Sequence, residues 1–213
     1  MLSRVSQAMT DSGYRPRGIV HVGAHRAQEM DGYLALGPSL IVWVEADPVH
    51  LQRLHKVTAG QAGPTRQVVI QALIADVDGR QHDFHRFSNR GQSSSLFRAT
   101  QILNDHWPDV RETGEVLQLS SNRLDTVLKG AGIACEDVDV LILDIQGAEL
   151  MALNGAGTYL DHLQFLEVEL SQQEIYAGAP RANVVQAALL DLGFEAVTHV
   201  KWHGGVVFRR RAA

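Results

Sequence analysis

Apolar positions along the chain fall into short runs separated by amphipathic stretches, and this alternation sets the expected architecture. Ile19-Val20-His21-Val22 is strand-like and stops at Gly23; Leu40 to Val44 is a second apolar run, closed by Glu45, with a helical stretch between them. Asp47-Pro48 opens a helix through Lys56, with Asp47 as N-cap and proline at the first helical position. Arg66 to Ile74, rich in β-branched residues, reads as a third strand. After the Asp78-Gly79 turn, Gln81 to Phe87 is expected to pair back as an irregular extension. Asp139 to Leu143 is almost wholly apolar, as a central parallel strand buried on both faces must be. A helix to about Leu153, a fifth strand over Leu163 to Leu170 and a helix over Asn183 to Leu192 follow. Phe194 to Val200 and Gly205 to Arg209 are joined by too short a link for a parallel crossover, so they form an antiparallel pair.

Residues 88–122 interrupt this rhythm. Ser88 to Ser95 is a polar loop, followed by a short helix around Gln101 to Trp107 and a strand over Glu115 to Leu119, before a helix near Leu124–Lys129. An insertion between core elements, rich in Ser, His and Trp, is expected to serve as a substrate wall or lid, with a plain surface excursion as the alternative. Residues 1–17 read as an N-terminal amphipathic helix. The whole is a doubly wound α/β domain over residues 1–213, with a mostly parallel seven-stranded sheet and an antiparallel terminal hairpin.

Composition narrows the function classes. The chain has 213 residues, 45% hydrophobic and 20% charged, which suits one globular domain with a sizeable core. Its net charge of -5 argues against a general nucleic-acid binder, and the basic cluster Arg209-Arg210-Arg211 reads as a solvated tail. Cys135 is the sole cysteine, so no internal disulfide can form and a thiolate metal site is not expected. No apolar run approaches the ~18 residues needed to span a membrane, and no signal peptide is evident. The expected compartment is the cytoplasm. Oligomeric state is left open, a homodimer included.

The Gly23 turn and Glu45 point to a cofactor class. An acid about 20 residues past a glycine turn is how doubly wound folds hold a nucleoside ribose. Dinucleotide sites need further glycines to approach a pyrophosphate, but here the turn continues Ala24-His25-Arg26-Ala27-Gln28, and no P-loop Lys-Ser/Thr pair occurs. S-adenosylmethionine fits what remains: a ribose, an adenine and a sulfonium, with no phosphate.

Several segments then resemble a known family. Ile19 to Gln28 is similar to the first motif of FkbM-type methyltransferases, and Val44-Glu45-Ala46-Asp47-Pro48 to their ribose-binding segment. Asp139 to Glu149, with Asn154-Gly155-Ala156, resembles their acid-rich block; Ser93 to Leu96 and Asn122 to Asp125 also match, covering roughly residues 18–208. The resemblance implies a Rossmann-like class I methyltransferase fold, S-adenosylmethionine as donor, and a hydroxyl acceptor on a sugar, polysaccharide or polyketide-like molecule. Two positions depart from the family. Ala27 stands where glycine is usual, which alters how closely the helix approaches the cofactor. Gln146 stands where an acid is commoner, which puts in doubt any mechanism that needs that acid.

The resemblance assigns Gly23, Ala24 and His25 to the turn beneath the cofactor, Glu45 to the ribose hydroxyls with Ala46 and Asp47 beside it, and Gln71 and Ala72 to the adenine. Asp144 and Gln146 complete the cofactor set. Asp144, at the end of the central strand, is also a candidate base, with a plain N-cap role as the alternative. Glu167 and Glu169 share one strand face, and Glu169, nearer the C-terminal end, is the second catalytic candidate. Mg²⁺ held by Asp144 and Glu169 is a less favoured alternative. His106 and His203 are further candidate proton acceptors. The competing functions are an NAD-dependent reductase or epimerase, for which no Tyr-x-x-x-Lys pair exists, and a non-catalytic module that binds S-adenosylmethionine.

Overall fold

Seven strands form one sheet in the order β3-β2-β1-β7-β8-β10-β9. They are β1 (Gly18–Val22), β2 (Leu40–Glu45), β3 (Arg66–Gln71), β7 (Val140–Leu143), β8 (Phe165–Ser171), β9 (Phe194–Ala196) and β10 (His203–Arg210). The computed structural model describes residues 3–212. The first five of these strands run parallel, and β10 lies antiparallel to both β8 and β9. Chain order reverses between β1 and β7, which makes their C-terminal ends the switch point where such sheets bind ligands.

Period-two alternation sorts the strand residues onto two cores. Val20, Val22, Val42, Val44, Leu141, Leu143, Leu166 and Val168 face α5 (Leu124–Gly130), α6 (Glu149–Asn154) and α8 (Ala182–Asp191). Ile19, Ile41, Trp43, Val140, Ile142 and Phe165 face α1 (Arg4–Ser12), α2 (Met30–Ala35) and α3 (Pro48–Ala59). Every residue of β1, β2 and β7 is buried, as parallel strands covered on both faces require. His21 falls on the α1–α3 face, where burial depresses its pKa to about 4; the ring stays neutral and its Nδ1 lies 3.1 Å from the Tyr33 hydroxyl.

The expected N-terminal helix spans Arg4–Ser12 and ends at Gly13 in the left-handed region, φ +68°; the first two residues of the expected range lie outside the described ones. Glu167 accepts a 2.9 Å hydrogen bond from the Val5 N–H in the first turn of α1. That carboxylate favours a helix N-terminus electrostatically and ties α1 to β8. Asp139, expected to begin the central strand, precedes it instead. Its buried carboxylate accepts from the Arg17 and Gly18 N–H groups and the Tyr14 hydroxyl, which fixes the entry to β1.

The largest departure from the sequence reading is a second sheet, in the order β4-β6-β5. The run expected as one strand from Arg66 to Ile74 breaks at Ala72. β3 ends at Gln71 opposite Glu45, and β4 (Leu73–Ala75) moves over to pair with Ser121–Arg123. β5 (Gln81–Phe87) pairs antiparallel with β6 (Glu112–Arg123), not back onto β3. Within 88–122, the short helix appears as α4 (Gln101–His106), but the strand is twelve residues long rather than the expected five-residue segment. A short 3-10 helix (Cys135–Asp137) and α7 (Tyr159–His162) complete the chain.

Candidate active site

The C-terminal ends of β1, β2 and β7 open into a cleft of about 580 Å³, its open mouth included. Gly23 makes the sharp turn out of β1 at φ +84°, and a Cβ there would overlap the Asp144 carbonyl oxygen. Only glycine combines that backbone angle with so close an approach.

Glu45 ends β2 at the cleft wall and is 7% exposed. Its Oε2 accepts the His25 N–H at 2.8 Å and its Oε1 the Asp47 N–H at 2.8 Å. Burial raises the carboxyl's pKa while these two bonds pull it down. An ionised carboxylate has about four acceptor sites, so two remain for a pair of vicinal hydroxyls. The wall beyond is apolar (Ala72, Leu73, Ile74, Phe84 and Leu96) and suits an adenine ring. No Lys or Arg lines the cleft, whereas Glu45, Asp47 and Asp144 do. A cationic sulfonium and ammonium fit that lining; a pyrophosphate does not.

The sequence-assigned residues are mostly brought together. Gly23, His25, Glu45, Ala46, Asp47, Ala72, Asp144 and Gln146 all line the cleft. Ala24 lies buried beneath, packed in the α1–α3 core. Gln71 is exposed and outside the lining, because strand alternation turns it away as the chain leaves the sheet. Asp47 has a structural duty as well: it accepts the Val49 N–H at 2.8 Å as N-cap of α3 and pairs with Arg86 of β5. Ala27 sits in a left-handed turn, φ +53°, ahead of α2, so its methyl group strains the backbone by about 1 kcal/mol relative to glycine. Glycine would relieve that strain.

Segment 88–122 contributes first to the cofactor cleft. Gly91, Gln92, Ser94 and Leu96 form its outer wall. The loop is held by His25, whose Nε2 lies 2.9 Å from the Arg90 carbonyl oxygen, with the His50 ring 4.1 Å away. Burial lowers the pKa of both imidazoles, His50 to about 4, so His25 is neutral and donates to that carbonyl.

Asp144 ends β7 and does not cap α6, whose N-cap is Ala148 without a side-chain bond. Its surface faces the open cleft, yet protein crowds it on the other sides. Desolvation and then the charge of Glu169 push its carboxyl well above the usual range. The amide of Gln146 stands between the two acids: Nε2 donates to Asp144 Oδ1 at 2.6 Å and to Glu169 Oε2 at 2.5 Å. On its far side Glu169 meets His203 Nε2 at 3.2 Å. Burial works to lower the His203 pKa, but the bond to Glu169 and the charges of Glu169 and Glu149 outweigh it, and the net shift is upward.

Glu169 and His203 border a second, shallow recess of about 310 Å³, its open mouth included, lined also by Glu149, Tyr176 and the 171–180 loop after β8. Beside His203, Trp107 and Trp202 lie 5.1 Å apart and His106 stacks on Trp202 at 3.9 Å. These rings come from α4's end and the β9–β10 connection and meet only in the fold, so their grouping is not visible in the sequence. Of its two histidines, His203 joins the acid pair; His106 is exposed and stacks outside it. Tyr176 was also missed as a site residue, since nothing in its local sequence marks it, and Ser95 was noted only as part of the family-like Ser93–Leu96 run.

The Methyltransferase FkbM domain model matches residues 21–196. The chain belongs to the FkbM family and is an S-adenosylmethionine-dependent methyltransferase. It is 29% identical to 2-O-methyltransferase NoeI of Sinorhizobium fredii (strain NBRC 101917 / NGR234) over 183 residues, covering 82% of this chain and 70% of that one. The methyltransferase FkbM structure from Methylobacillus flagellatus KT superposes with a TM-score of 0.52 at 15% identity, over 90% of this chain and 43% of that one. Magnesium protoporphyrin IX methyltransferase (ChlM) from Synechocystis PCC 6803, solved with bound SAM, gives 0.53 at 11% identity, over 97% of this chain and 76% of that one. These superpositions establish the class I methyltransferase fold, and the family sets aside the nicotinamide alternatives. Among the described residues, no helix is long and apolar enough to cross a membrane.

Proposed function

We propose that the protein transfers the methyl group of S-adenosylmethionine to a hydroxyl oxygen of a sugar, polysaccharide or polyketide-like small molecule. The cofactor occupies the cation-free cleft with its ribose on Glu45, and the acceptor enters through the second recess toward Glu169. The observation that carries this reading is the Asp144–Gln146–Glu169 bridge, which joins a cleft-wall acid to an acid of the second recess. The name of the relative NoeI, a 2-O-methyltransferase, supports oxygen as the receiving atom.

The sulfonium supplies an activated methyl carbon. Methyl transfer is an in-line displacement, so positioning provides much of the rate. A neutral hydroxyl gains from losing its proton as the new O–C bond forms. Glu169 takes that proton, and Asp144 holds the cationic end of the donor. The residues present do not fit a divalent ion between these acids. The Gln146 Nε2, a donor, stands there, and its Oε1 already accepts the Tyr176 hydroxyl at 2.7 Å.

The reading is tested by incubating the protein with methyl-labelled donor and a panel of glycosides, polysaccharides and polyketide-like alcohols. Label on an acceptor oxygen is expected. Donor binding without transfer to any hydroxyl compound would instead support a non-catalytic module.

A further inference from the structure

The surroundings of Gln146 are built around an amide. The residue sits at φ +56°, a left-handed backbone that a non-glycine residue adopts only when held there. Two contacts hold it. The fully buried Ser95 hydroxyl donates to the Gln146 carbonyl oxygen at 2.6 Å, and the Tyr176 hydroxyl donates to Oε1 at 2.7 Å. The second contact also fixes which way the amide faces. With Oε1 accepting from Tyr176, the NH₂ group must point at Asp144 and Glu169, and its two hydrogens serve one carboxylate each.

We infer that Gln146 is a positioning residue: its amide, oriented by Tyr176 and Ser95, bridges Asp144 and Glu169 and holds Glu169 aimed as the proton acceptor. This rests on the methyl-transfer reading above. Two like charges sharing a site raise each other's proton affinity, and hydrogen bonds to the ionised forms oppose that. The other titratable groups around the pair are Glu149 from α6, His203 from β10, Tyr176 from the loop after β8, and Glu167 on the same strand face. His203 is the cationic candidate among them, and it reaches Glu169 from the side opposite Gln146. Besides Gln146, whose donation favours the ionised form of Asp144, Glu169 is itself in hydrogen-bond contact with that carboxyl and disfavours its ionised form. Removing the amide therefore takes away the donor that favours the charged form of Asp144, and that acid is less readily ionised.

The test is the pH profile of kcat for the wild type, Gln146→Met, Gln146→Ala and Tyr176→Phe, with donor binding measured by calorimetry on each. Gln146→Met keeps the volume and deletes both donors. Its acidic limb should move up by about one pH unit or more, with most of the lost rate recovered on the alkaline side. Gln146→Ala should shift the same way, and Tyr176→Phe by a smaller amount, because the amide is then free to turn. A uniform loss at every pH, with the limb unmoved in variants that still bind donor, overturns the assignment. Absence of methyl transfer by the wild type on every acceptor would instead defeat the underlying functional reading.

Discussion

Arg86 grips Asp47 with both prongs of its guanidinium, Nε to Oδ2 and Nη2 to Oδ1, each at 2.7 Å. The pair joins the second sheet to the first. Asp47 caps α3 with its carboxylate and donates its N–H to Glu45, so the residue that receives Arg86 also steadies the Glu45 corner of the cleft. Planar two-pronged pairing is the strong form of such contacts.

Replacing Arg86 by alanine leaves the Asp47 carboxylate buried with its cap bond alone. Breaking a buried pair in this way costs about 3 kcal/mol. Urea denaturation should show that loss as a lower midpoint with an unchanged slope. A change below about 1 kcal/mol would place the pair with exposed surface bridges.

Much of this architecture was legible in the sequence. The parallel strands follow from apolar runs that burial on both faces demands, and Asp47-Pro48 marks its helix start by local chemistry alone. Glu45 was readable because its distance from Gly23 is fixed by one β–α–β unit. The second sheet was not readable. Leu73–Ala75 continues the β-branched run of β3, and only its long-range pairing with Ser121–Arg123 shows that it changes sheets. The role of Gln146 was hidden for the same reason. Local sequence shows only a glutamine after the central strand, whereas the partners that orient its amide lie at Ser95, Glu169 and Tyr176.

Glu149 gives the fold a pH dependence of stability. It is 3% exposed, and its pKa is raised from 4.5 to about 7, first by burial and then by the charge of Glu169. Between those values the folded chain keeps a proton that the unfolded chain releases, so stability falls as pH rises from about 4.5 to about 7. The fall should total roughly 3 kcal/mol. Glu149→Gln should flatten this part of the stability curve in urea melts across that range. An equally steep curve in the variant would show that another group carries the effect.

Chelation should leave the chemistry intact. With the Gln146 amide between Asp144 and Glu169, initial methyl-transfer rates should be the same within about twofold before and after excess EDTA, an allowance set by how poorly a hydrogen-bond donor replaces the oxygen ligands Mg²⁺ requires. A loss restored by Mg²⁺ would show that a cation displaces the amide during turnover.

The proposed function places cofactor recognition on Glu45. Calorimetric titration of S-adenosylhomocysteine into the wild type and Glu45→Ala measures its role without an acceptor. The wild type should bind one equivalent at micromolar-range affinity. The variant should lose about 100-fold, from two charge-assisted bonds of roughly 1.5 kcal/mol each. No binding by the folded wild type, or equal binding by the variant, would contradict the placement of the cofactor on Glu45.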